Sequence, residues 1–144
     1  MSEVMAGFVC GYALAVVSAP LVALALLRLR SHVPFLAVAV PGNVSVVALA
    51  VFLFWFNMLL WTALGMVFGL ALLGFEDRAP QGGLGSPNLA FTLFAVFWSV
   101  VAFAPVAMLM KPARRYVFAA ALAFAGVFGW LMPHLAGWGP LASS

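Results

Sequence analysis

The chain has 144 residues, 67% of them hydrophobic and 6% charged, with a net charge of +3 and a mean hydropathy of +1.23. Soluble domains carry about 25% charged residues, so this composition cannot cover a water-exposed surface and puts the chain in a membrane. The length suffices for about three to five spans and leaves no sizeable aqueous domain beside them.

The basic excess does not point to nucleic acid. Five of the six Lys and Arg residues lie in two short clusters between apolar runs, where such residues set membrane topology. Cys10 is the single cysteine, so neither an internal disulfide nor a thiolate metal site is open to the chain.

In chain order, the first predicted span covers residues 4–27 and stops at Arg28, Leu29 and Arg30. Its leading Met1, Ser2 and Glu3 hold no basic residue and its apolar run outlasts a signal-peptide core, so it is expected to be retained. Pro20 inside it removes a backbone donor and predicts a kink. Gly7 and Gly11 form a small-xxx-small pair.

Residues 33–40 are apolar and end at Pro41, Gly42 and Asn43. Two arrangements of the next 45 or so residues compete: two tight spans, or one long span preceded by an interfacial or shallow re-entrant segment. The second puts both basic clusters on one side of the membrane, as the positive-inside rule prefers. The long span is residues 44–75, which hold no charged side chain and would make a helix roughly 46 Å long, against a hydrocarbon thickness of roughly 30 Å.

A polar, glycine-rich loop follows at residues 76–85, and Ser86 with Pro87 reads as a helix start. Its GGLG lacks the lysine and preceding strand of a phosphate loop. Span three is predicted at 87–110, with Pro105 near its end. A basic turn at 111–115 leads to span four at 116–136, on condition that Pro133 is accommodated. Pro20 and Pro105 each precede a basic cluster, a faint sign of two hairpin repeats.

The expected fold is all-α: a single transmembrane domain over 1–144, built as a four-helix bundle with both ends outside. Loops 28–33 and 111–115 are then cytoplasmic, in an inner (plasma) membrane.

No Asp, Glu, Lys, Arg or His falls in the core of any span, which disfavours ion-coupled transport and most membrane catalysis. His32 and His134 fall on opposite surfaces in this topology, so one chain cannot use both on one haem, and no metal site is expected. Asn57, Trp61, Gly65 and Gly69 recur every four residues and share one helix face. That face reads as helix packing inside the bundle, as a contact to another subunit, or as a polar anchor in a ligand pocket.

Aromatics are abundant at 15% and crowd the middles of spans two and three. Core or lipid-facing packing accounts for them; a flat apolar ligand such as a quinone, carotenoid or chlorin would stack on rings such as Trp55, Phe94 and Trp98. Trp130 and Trp138 suit an interfacial anchor. The function expected is therefore non-enzymatic: an accessory subunit of a larger membrane complex, respiratory or photosynthetic for example, in contact with lipids and neighbouring subunits and not with nucleic acid. The alternative is a small channel or transporter formed between copies of the chain. Neither reading fixes a cofactor.

Overall fold

Hydrocarbon offers a backbone no water, so an apolar run must satisfy its own N–H and C=O groups, and a helix does so within one segment. The computed structural model describes residues 3–76 and 89–137, and every element in them is helical. Four helical stretches are long and apolar enough to cross a membrane. The first is α1 (Glu3–Leu29), which carries Pro20 inside it. A six-residue helix, α2 (Pro34–Ala39), precedes the second, α3 (Val46–Glu76). The third is α4 (Leu89–Leu109). The fourth runs from a 3-10 turn at Lys111–Ala113 through α5 (Arg114–Gly126) and a π-helical turn (Val127–Leu131) into α6 (Met132–Gly137).

Residues 33–40 therefore do not form a span of their own. Val33 stands extended before Pro34, which takes the first helical position where its missing N–H costs nothing. Within α2, Leu36 is buried against Leu29 and Ala113, while Phe35 and Val38 stay exposed. This contact joins the end of α1 to the start of the fourth span, so Arg28, Arg30, Lys111, Arg114 and Arg115 all sit at one end of the molecule. Arg30 lies over Gly42: a Cβ there would be 2.7 Å from Nη2. Helix α3 then starts at Ser45, whose Oγ accepts the Ala48 N–H at 3.1 Å.

The basic segment expected as a turn is already helical, since α5 begins at Arg114 and not at Tyr116. Pro133 is accommodated by local widening of the helix. Its ring would press on the carbonyl four residues back, at Gly129, and its missing N–H would leave that carbonyl free. The π turn just before it relieves the first problem, and the Thr92 hydroxyl, which donates to the Gly129 oxygen at 2.7 Å, solves the second. The expected helix start at Ser86 and Pro87, the loop after Glu76 and the Trp138 anchor lie outside the described residues.

Helices α1 and α3 run antiparallel with their backbones in contact. Gly7 faces Gly65, Gly11 faces Trp61, and Gly69 faces Glu3 and Val4. A Cβ on Gly7 would fall 2.7 Å from the Gly65 carbonyl carbon, and one on Gly69 would fall 2.8 Å from the Val4 Cα. Helix α4 packs against α5 and the π turn, while α1 also meets α6. The two pairs join through an aromatic core around Phe68, whose ring centroid is 5.3 Å from both Phe124 and Phe128 and 6.3 Å from Phe91.

Backbone contact of this kind tolerates no side chain, so Gly7→Leu should separate α1 from α3 and destabilise the protein by about 1–3 kcal/mol or more. Gly74 and Gly126 have open space where a Cβ would go. Gly126→Ala, inside a helix, should instead hold stability or raise it by about 0.5–1 kcal/mol. Thermal unfolding of the two variants in detergent checks the contrast.

Candidate functional site

Polar side chains within the spans are where chemistry would start, and the fold places them in the interior. Asn57, Thr62 and Ser99 are all buried. Ser99 Oγ donates across the α4–α5 seam to the Ala121 carbonyl at 2.9 Å. The Thr92 hydroxyl bond to the Gly129 carbonyl is the second across this seam, about two turns away along α4. Thr62 is satisfied locally by the Met58 carbonyl at 2.5 Å.

Asn57 differs from these. Its side chain is 7% exposed and its Nδ2 has no hydrogen-bond partner. The α1–α3 register explains this. One more turn beyond the Gly11–Trp61 contact puts Ala15 opposite Asn57, and a methyl group cannot accept a proton.

The four residues read as one face stay together but point inward. Gly65 and Gly69 touch the backbone of α1, and Trp61 presents its carbonyl to Gly11. The Trp61 ring turns to the aromatic core, 6.0 Å from Phe124 and 6.2 Å from Phe128. The face is occupied inside the chain, which leaves no room for a second protein on Gly65 or Gly69.

Trp55, Phe94 and Trp98 do not make one ligand site. Phe94 is half-buried among Phe68 at 5.9 Å and Phe75 at 5.4 Å. Trp98 lies 6.3 Å from Phe94 and 6.0 Å from Phe97, and is partly exposed on the outside. Trp55 stands on α3 at 63% exposure, with Phe54 beside it at 5.9 Å. It belongs to an outward ridge of Phe52, Trp55, Phe56 and Leu59.

The hub residues Phe68, Phe124 and Phe128 were not singled out from the sequence. The four-residue spacing of Phe124 and Phe128 was the available signal, and nothing local to Phe68 distinguished it.

The histidines lie at opposite ends. His32 Nδ1 is 3.0 Å from Ser31 Oγ at the basic end. His134 Nδ1 is 2.7 Å from the Trp130 carbonyl, and the two rings lie 4.5 Å apart. Among the described residues no group of three His, Cys, Asp or Glu side chains could hold a metal ion. No protein-family model, curated protein or solved structure matches this sequence.

Part-buried Thr92 and buried Asn57 should respond oppositely to removal. Thr92→Val leaves the Gly129 carbonyl without its interhelical donor and should cost about 1–2 kcal/mol. Asn57→Leu removes an amide that makes no bond through Nδ2, so it should leave stability unchanged or increase it. Paired unfolding curves in one detergent test both, and a large loss on Asn57→Leu would mean that this amide has a partner after all.

Proposed function

We propose that the chain is a non-catalytic subunit of a larger membrane assembly, held there through the aromatic ridge of α3. The observation that carries this reading is the mismatch between the apolarity of α3 and its burial. Its most apolar 18-residue window is only 11% buried, against 33% in α1. The exposed side is not plain aliphatic lipid-facing surface but carries Phe52, Trp55 and Phe56. Large rigid rings clustered on one outward face suit contact with another protein surface, where aromatics are the preferred anchors.

The channel reading has less support. A pore between copies would be lined by outward faces, and those of α3 and α4 carry only hydrocarbon and aromatic side chains, with Asn57, Thr62 and Ser99 turned inward. The same proposal puts the basic end in the cytoplasm of an inner (plasma) membrane and Glu3 on the outer side, following the positive-inside rule.

Substitution at Gly65 cannot test this reading, because it would break the chain's own α1–α3 contact. The ridge can be changed without that damage. Mild-detergent extraction from the native membrane should show the wild-type chain on a native gel within a larger assembly, whose members mass spectrometry then identifies. Trp55→Ala with Phe56→Ala should release a chain of unchanged helix content. A wild-type chain that migrates alone would end the proposal.

A further inference from the structure

Helix α1 packs on α6 and the π turn and meets the start of the fourth span again at the Leu29–Leu36–Ala113 cluster, but between these contacts it stands off from α5. The gap is a groove of about 370 Å³, open to the side. Leu14, Val17 and Leu21 of α1 form one wall, and Ala119, Ala120 and Ala123 of α5, all small, form the other. At one end of this apolar trough stand Arg28 and Tyr116.

We propose that the groove binds one acyl chain of an anionic phospholipid, with the lipid phosphate against the Arg28 guanidinium and the Tyr116 hydroxyl. The dimensions match. From Leu14 to Arg28 the groove follows α1 for roughly 21 Å. One leaflet, headgroup layer included, is half of roughly 40–45 Å. A volume of 370 Å³ spread over that length is one hydrocarbon chain wide. A partner helix, roughly 10 Å across, does not fit in it.

Charge selects the headgroup. Arg28 and Tyr116 share their end of the molecule with Arg30, Lys111, Arg114 and Arg115. Glu3, at the start of α1, belongs to the opposite end. An Arg presents a fork of donors that fits phosphate oxygens, and among the described side chains no carboxylate lies beside it to compete. A net-negative headgroup gains from this field, while a zwitterionic one brings its own cation into it. The site does not depend on the chain having protein partners.

The test uses the full chain, stripped of lipid in detergent and titrated with phosphatidylglycerol or with phosphatidylcholine of the same acyl chains. Native mass spectrometry counts the bound lipid. One phosphatidylglycerol per chain is expected, held about fivefold more tightly than phosphatidylcholine. Arg28→Gln should remove that preference, and Ala120→Trp should abolish binding of both lipids by filling the trough. Arg114→Gln should reduce the preference far less than Arg28→Gln does, because Arg114 does not line the groove and its Nε donates to the Ala107 carbonyl at 3.0 Å, toward α4. Circular dichroism establishes that each variant is folded, and Ala123→Leu is the smaller filling substitution where Ala120→Trp does not fold. Equal affinity for the two lipids in the wild type would overturn the proposal. So would phosphatidylglycerol binding that survives filling of the groove. Displacement of the phospholipid by inorganic phosphate at equal concentration would overturn it too, since it would mean an anion site without a chain site.

Discussion

The contact on which the other packing depends is the glycine-lined crossing of α1 and α3. Between two apolar helices in lipid there is little hydrophobic gain, because lipid tails solvate leucine as well as another leucine does. Association then rests on how closely backbones approach. Gly7 and Gly11 remove the side chains on one helix, Gly65 and Gly69 those on the other, and the two pairs face each other in antiparallel register. Fixing α3 this way also fixes its rotation. Trp61 must turn its carbonyl to Gly11, so its ring is carried to Phe124 and Phe128. Phe68, next to Gly69, is carried into the centre of the aromatic core.

The other seam uses a different force. Helix α4 offers Thr92, Ala95 and Ser99 to the fourth span, a small and hydroxyl-bearing stripe. Both hydroxyls donate to backbone carbonyls across the seam. Pro133 makes one of those bonds necessary, because it frees the Gly129 oxygen in a medium that has no water to take it up. Gly129 also keeps the seam close, since a Cβ there would meet the Ala95 methyl at 3.3 Å. A proline that would break a helix elsewhere is thereby part of a helix–helix joint, and Thr92 with the π turn is what allows it.

Much of this architecture was legible in the residues. Charge-free runs marked the four spans, and the position of the Arg and Lys clusters decided that one span, not two, lies between Arg30 and Glu76. Gly7 with Gly11 and Gly65 with Gly69 were each visible as close-approach motifs. That they are each other's mates was not, because a small-xxx-small pair states that a helix will come near without saying which one. Trp61 was legible as a member of the same face, yet its ring's destination depends on a third helix. The 3-10 start at Lys111 and the π turn were illegible for a related reason. The first answers to a tertiary demand, the burial of Ala113 under Leu36, and the second to Pro133, which signals a distortion in the sequence without stating its form. The groove was hidden as well, since Ala119, Ala120 and Ala123 read as ordinary helix formers until the splay of α1 from α5 makes their smallness a wall.

In water, the most apolar helix of a domain is the most buried, and burial maps function by contrast. Here the two are uncoupled. α1, α3 and α4 are about equally apolar, yet α3 is the least buried of the spans and α1 is among the most buried. Apolarity then cannot distinguish a face that meets lipid from one that meets protein; shape and polar punctuation must. The ridge of Phe52, Trp55 and Phe56 is exposed, aromatic and free of charge, which is why it is proposed as a protein contact and not as plain lipid-facing surface. The trough between α1 and α5 is concave, narrow and closed at one end by a guanidinium, which favours a single flexible chain with an anionic head. On the two proposals made above, the surfaces would therefore take neighbours of different kinds, a protein on the ridge and a lipid chain in the trough.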